Sequence, residues 1–315
     1  MSPRVVSLGV VILDVLGRPC LDLPPGQVGQ RIDQIRLTAA GTAAGFAVDL
    51  AKLDADVTLV GCIGSDDIGA FLVTLLDRHG VDTSLLARTT AAQTSASMLP
   101  IRPDGERPAY HAVGANKHFR LDTETLEKAL SGVAHMHIGG PDSMGPFVDK
   151  DMATALSLGR SAGATTSVDL LSARLNRSTR TALRKAMPLI DYFMPNDQQI
   201  CELYETTNVA AACDAALDDG ARAVIVTLGS DGCLTATPTG HLRVPAPSVN
   251  VLDTTGCGDA FSAAFIRGKL LGWNDEAAAK LACAAGSLVA TGLGSDAGIV
   301  DLQSTIAAAR TASRP

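Results

Sequence analysis

Asp253-Thr254-Thr255-Gly256-Cys257-Gly258-Asp259-Ala260-Phe261 is the stretch on which the reading of this chain turns. It leaves an apolar-polar run from Val244 to Leu252, turns on two glycines, and enters a segment with Phe261, Ala264, Phe265 and Leu270 on one side. That is the pattern of a strand or loop, a tight turn and a helix start. Glycines at 256 and 258 let a ligand approach the backbone closely, and the first N–H groups of a helix have no internal acceptor. Together they make an anion site at a helix N-terminus. Asp259 falls where it would face that anion, and a carboxylate beside a bound phosphate repels it. Proton abstraction from a hydroxyl that attacks the phosphate is a chemical reason to place an acid there. The plainer alternative is an N-cap aspartate after a glycine turn.

The chain has 315 residues, enough for one large α/β domain with an appendage. Hydrophobic residues make up 46% but aromatic ones only 3%, so the core must be built from Ala, Val, Leu and Ile. A formal charge of −7 and no basic stripe argue against a nucleic-acid partner. Seven cysteines without a C-x-x-C pair offer neither a disulfide framework nor a zinc site. No run is long enough to span a membrane, and Val5 to Leu13 is interrupted by Asp14 just beyond it and lacks a cleavage site. A cytoplasmic location is expected.

Short β-branched runs alternate with Ala/Leu-rich helical patterns. Strands are predicted at Val5–Ile12, Val57–Ile63, Val133–Ile138, Thr165–Leu170, Tyr192–Met194 and Val224–Leu228. Helices are predicted at Gly41–Leu53, Ile68–His79, Thr123–Leu130, Phe147–Ala162, Asp197–Tyr204, Ala260–Leu271 and Asp275–Ala290, the last capped by Asn274. Such alternation implies a mostly parallel sheet flanked by helices. Two segments, about 15–38 and 94–112, instead alternate like half-exposed strands, the second around the turn Arg102-Pro103-Asp104-Gly105. They suit a small β-lid over one end of the sheet, within a single domain spanning 1–315.

With these pieces in order, the chain resembles the ribokinase/PfkB family of sugar and nucleoside kinases over nearly its whole length. Ala40-Gly41-Thr42-Ala43-Ala44-Gly45-Phe46-Ala47 falls where the family carries G-G-x-x-x-N-x-A. Gly61 to Gly69 resembles its G-x-x-G-x-D-x-x-G passage, and Gly114-Ala115-Asn116 its G-A-N. Pro195-Asn196 resembles the start of P-N-x-x-E, and Thr227 to Gly232 the nucleotide-contacting T-L-G-x-x-G. Asp253 to Asp259 matches D-T-x-G-A-G-D with Cys257 in place of Ala.

The resemblance implies a ribokinase-like three-layer α/β fold with a β-lid and transfer of the ATP γ-phosphoryl group to a hydroxymethyl group. Asp259 would be the base, and the amides of Gly256, Cys257 and Gly258 would hold the transferring phosphoryl. Asp14, Gly41, Gly45, Asn116 and Gly139 would contact the acceptor, a sugar or nucleoside; His137 is a candidate by its own position, alternating with His135 along a strand with Gly139 at its end, where α/β sheets bind ligands. Asn196, Thr227, Gly229, Gly232, Gly258, Cys283 and Gly286 would serve ATP and its Mg²⁺, and Asp253 with Thr255 would lie where relatives bind K⁺. A homodimer through the lid is also implied. No G-x-x-x-x-G-K-[ST] occurs, so a Walker-type loop is not the mechanism, and no G-x-G-x-x-G follows the first strand, which argues against a dinucleotide enzyme. A catalytically weakened sugar-binding regulator is the rival reading.

Several departures bear on the acceptor. The family Asn is Gly45, Ile12 stands before Asp14, and Gly139 stands where a Glu would fall. Lost polar partners make ribose itself a poor expectation, and glycines at 45 and 139 suggest a larger pocket; close helix packing is the alternative for Gly45. Gln199 replaces the family Glu near Mg²⁺, with Asp197 or Glu202 as substitutes. His111 is a candidate lid contact. Arg107 and Arg174 are candidates for an acidic or phosphorylated acceptor.

Overall fold

The structure, a computed structural model, describes residues 2–22 and 24–311. Residue 23, inside the first expected lid segment, lies outside the described residues. The first half of the chain supplies β1 (Arg4–Gly9), β2 (Ile12–Arg18), β3 (Gln34–Ala40), α1 (Thr42–Lys52), β4 (Asp56–Gly64), α2 (Asp67–Arg78), β5 (Asp82–Thr89), β6 (Ala96–Pro100) and β7 (Tyr110–Ala112). Next come α3 (Thr123–Ala129), β8 (His135–Gly139), α4 (Phe147–Lys150), α5 (Met152–Ser161), β9 (Thr165–Asp169), α6 (Arg177–Ala186), β10 (Tyr192–Phe193), α7 (Asp197–Leu203) and α8 (Val209–Asp218). The last part forms β11 (Ala223–Thr227), β12 (Cys233–Thr237), β13 (Gly240–Val244), α9 (Cys257–Leu270), α10 (Asp275–Ala290) and α11 (Leu302–Thr311).

Among the described residues nine strands make the main sheet, in the order β13-β12-β11-β10-β9-β8-β1-β4-β5. All neighbours are parallel except the pairs made by β12. Both faces are covered. Val6, Leu8, Met136 and Val224 pack with α3 to α8, while Val5, Leu59 and Ile225 pack with α1, α2, α9 and α10. This is why the strands read as continuous apolar runs rather than alternating ones. Small side chains let α9 and α10 approach closely: a Cβ on Gly268 would come within 2.9 Å of the Ala278 Cα. The architecture is the three-layer α/β fold expected from the sequence.

A second sheet, in the order β3-β2-β6-β7, forms the lid. Its register lines up Thr38, Asp14, Ser97 and His111 across the four strands on one face, and Leu37, Val15, Met98 and Tyr110 on the other. One-residue alternation thus gives the lid a polar inner row and an apolar outer row.

Some boundaries differ from expectation. The strand expected over Val5–Ile12 ends at Gly9, where a Cβ would lie 2.0 Å from the Gly139 carbonyl oxygen. Asp14, which the sequence pattern puts at the end of the first strand, sits instead within β2 of the lid. The helix expected over Phe147–Ala162 is interrupted at Asp151, whose φ of −117 lies far from the α-helical mean of about −63. The apolar-polar run from Val244 to Leu252 is loop beyond the end of β13. The β12–β13 hairpin, β5, α6, α8 and α11 are further elements that the sequence pattern did not single out. Asn274 caps α10 as expected, accepting from the Ala277 N–H at 2.9 Å.

Candidate active site

The site lies beyond the carboxyl ends of the parallel strands, where the strand order reverses around β1 and β8. The turn before α9 is built by its own residues. Asp253 is fully buried, and its Oδ1 accepts from the Thr255 N–H at 3.0 Å and the Thr255 hydroxyl at 2.7 Å. Its Oδ2 accepts from the Gly294 N–H at 2.8 Å. Gly256 follows at φ 80, and a Cβ there would lie 2.5 Å from the Ser295 Cα, so only glycine fits. No side chain caps α9, and a Cβ on Gly258 would meet nothing within 4 Å. The Cys257 N–H closes the turn on the Thr254 carbonyl at 3.4 Å, and at Gly258 the helix start borders open space.

That space is a cleft of about 720 Å³ whose walls include Asp14, Thr42, Ser97, Arg107, Asp169 and Asp259. Asp259 is the third residue of α9 and makes no capping hydrogen bond, which removes the N-cap alternative. Burial pushes its pKa up to about 7; Arg107 opposes the shift and Asp14 adds to it. Asp14 is raised to about 6 by burial, against the pull of Ser97 and Arg107. Arg107 reaches the turn itself, donating through Nε to the Thr254 hydroxyl at 3.2 Å. Asp169, at the end of β9, accepts from the Ser262 hydroxyl one turn along α9 at 3.0 Å, and burial with Asp259 nearby drives its pKa well up.

A second cavity of about 470 Å³ adjoins the first and shares Thr227, Gly229, Thr254 and Gly258 with it. Gly232, Cys257, Cys283 and Gly286 complete walls formed largely by Pro247, Val249, Val251 and Phe261. The two cavities meet at the start of α9. Burial pushes the Cys257 thiol up to about 12, so it stays a neutral filler there. Asn196 caps α7 in a reciprocal capping box with Gln199, and both line the first cleft. The Gln199 amide also donates to the Leu170 carbonyl at 2.9 Å, a bond that a glutamate could not make. Asp197 lines the cleft, whereas Glu202 turns to Arg180 at 3.4 Å and does not.

Four residues expected to contact the acceptor lie off the cleft. Asn116 is buried away from the cleft, and its side chain clamps the Val11 backbone with two hydrogen bonds of 3.1 Å. His137 is buried against Phe46, rings 3.9 Å apart, and bonds Ser167 at 2.8 Å; it lines neither cavity. Gly139 does not enlarge the pocket: a Cβ would lie 2.5 Å from the Ala43 nitrogen, so it lets β8 abut the start of α1. Gly45 is likewise filled, because a Cβ there would lie 2.4 Å from Asp259 Oδ2. Gly41, at φ 91, does line the cleft. His111 and Arg107 also line it; Arg174 lies outside it.

Among the polar lining residues that the sequence did not mark are Ser97 and Asp169. Ser97 becomes visible only through strand pairing with Asp14. Asp169 carried a usable signal, since it closes a predicted strand at the edge where α/β sheets bind ligands.

A family model described as pfkB family carbohydrate kinase matches residues 2–301. The chain is 34% identical over 289 residues to an ATP-dependent ribose-1-phosphate kinase of Halopiger xanaduensis, covering 91% of this chain and 92% of the relative. It is 26% identical to a ribokinase of Staphylococcus aureus, with coverage of 84% and 86%. In fold it is similar to an Arabidopsis thaliana ribokinase complexed with ribose and ATP, with a TM-score of 0.81 at 22% identity over 98% of this chain and 99% of the other. A Xylella fastidiosa fructokinase with bound ATP gives 0.80 at 23% identity over the full length of both chains.

Proposed function

Because the chain belongs to the pfkB family of carbohydrate kinases, we propose that it transfers the γ-phosphoryl group of ATP to a hydroxymethyl group of a sugar or sugar derivative. The observation that carries this is Asp259 standing in the first turn of α9, whose start has no side-chain cap, where two cavities meet. An acceptor in the first cleft puts its hydroxyl against Asp259, which removes the proton as the oxygen attacks phosphorus. The amides of Gly256, Cys257 and Gly258 donate to the equatorial oxygens, where charge accumulates. Arg107 closes over the same turn from the lid. The second cavity suits the nucleoside part of ATP, its largely apolar walls reading shape more than hydrogen bonds.

Mg²⁺ neutralises the phosphates and keeps much of its own water, so the Gln199 capping box is compatible with it. Asp253 fits the neighbourhood of a K⁺ ion: a fully buried carboxyl that accepts three hydrogen bonds has no ion pair among the described residues.

A phosphorylated acceptor is the second reading. Arg107 is the single Lys or Arg lining the cleft among the described residues, and the Halopiger relative is named for ribose 1-phosphate. The lost reason for a larger pocket leaves Ile12 as the feature against plain ribose. The test is ATP consumption over ribose, ribose 1-phosphate, fructose, sugar acids and nucleosides. Asp259→Asn is expected to lower kcat on the best acceptor by about 10²–10⁴-fold while ATP still binds. Unchanged turnover would overturn the assignment of the base.

A further inference from the structure

Behind Asp259 the interior holds an acid that the proposed chemistry leaves unused. Asp49 lies on α1 one turn beyond Gly45. It is fully buried, and neither carboxyl oxygen has a hydrogen-bond partner among the described residues. Burying an unpaired polar group destabilises a fold, so its presence needs a cause. Helical side chains lean toward the helix N-terminus, and residue 49 therefore covers the surface at position 45. Position 45 is the glycine against which Asp259 Oδ2 rests. The Asp259 carboxylate accepts no hydrogen bond from the described residues, although it borders α1 on one side and the cleft on the other.

We infer that Asp49 is a positioning residue for Asp259, its carboxyl reaching back along α1 to share a proton with the base across the gap left by Gly45. This rests on the reading of Asp259 as the base. The charged and titratable groups around the pair are few. Lys52 on α1, Asp259 on α9 and Asp296 beyond α10 face Asp49, with Arg36 and His79 engaged by Asp296. Arg107, Asp14 and Asp169 face Asp259, and Cys257 faces both acids. Burial drives Asp49 well above the usual carboxylate range despite Lys52. Asp259 borders the cleft and Asp49 does not, so Asp49 is the partner that keeps the proton while Asp259 carries the charge. A neutral acid donating to a carboxylate favours the ionised form, so Asp49 holds the base both oriented and ready at neutral pH.

The proposal is tested on the full chain without ligands, labelled with ¹³C at aspartate carboxyls, by following the Asp259 signal against pH. Asp259→Asn identifies that signal. Asp49→Leu removes the donor and is expected to raise the Asp259 midpoint by roughly one to two pH units. Asp49→Asn keeps an N–H donor without titrating and should stay near the wild-type midpoint. The acid limb of the kcat profile, measured with ATP and the best sugar from the screen, should move in the same order. A leucine variant with the wild-type midpoint, or an asparagine variant shifted as far as leucine, overturns the pairing. Asp49→Ala serves if the leucine variant does not fold. Should Asp259→Asn keep full turnover while the leucine shift is seen, the base assignment fails and the pairing stands.

Discussion

At the scale of single residues, Asp14 and Asp259 are two acids sharing one cleft, and burial is the largest influence on both. Asp14 is suited to accept hydrogen bonds from acceptor hydroxyls, with Ser97 and Arg107 favouring its ionised form. Asp14→Ala is expected to raise KM about 10–100-fold, since each hydrogen bond to a charged group contributes about 1.5–3 kcal/mol, with ATP binding unchanged. The sign of the pH effect follows from a pKa raised to about 6: KM of the wild-type protein should rise as pH falls through about 6, where protonation removes an acceptor. Initial-rate kinetics from pH 5 to 8 check this, and a pH-independent KM would remove Asp14 from acceptor binding. Asp259 and the glycine turn were legible because the chemistry is contiguous in the chain. Gly45 and Gly139 were not, because a missing side chain is equally consistent with a pocket floor and with a packed backbone.

At the scale of elements, the lid sheet shows two faces of one alternating pattern. Thr38, Asp14, Ser97 and His111 form the inner row, while Leu37, Met98 and Tyr110 stand exposed on the outer face at 41%, 61% and 51%. Exposed apolar rows of this kind mark association surfaces, and a second copy laid against that face would cover them. Light scattering is expected to give a dimer for the wild-type chain and a monomer for Leu37→Glu with Met98→Glu. A monomeric wild type at micromolar concentration would count against a lid interface. The lid segments were visible as period-two alternation, but their pairing was not. β2 runs antiparallel to β3 and parallel to β6, and that arrangement alone brings Ser97 beside Asp14. The β12–β13 hairpin was missed because Cys233–Thr237 and Gly240–Val244 carry no continuous β-branched run of the kind that marks β11 beside them.

At the scale of the whole molecule, the cleft gathers the end of β9, the starts of α1, α7 and α9 and the lid onto one edge of the sheet. The loop after α10 closes that edge: Gly294 holds Asp253, and Ser295 packs on Gly256 and bonds the Ala39 carbonyl at 2.8 Å. An ion bound there would stiffen the anion turn from behind. Turnover is expected to rise when K⁺ replaces Na⁺ at constant ionic strength, and Asp253→Asn should erase the difference. Equal rates in the two salts over a wide concentration range would end the K⁺ proposal.

The sequence by itself determined the alternation of strands and helices, the small-residue core, the anion turn and the acid that follows it. Each of these depends on neighbours within a few positions, where backbone conformation and hydrogen-bonding needs are set locally. Only the tertiary structure decided which of the marked residues line the cleft. Strands covered on both faces give no sign of which side meets a cavity, so His137 went to the core and Asn116 to a backbone clamp. Gly45 was settled by a residue 214 positions away, Asp259, whose carboxylate takes the volume that a side chain would have filled.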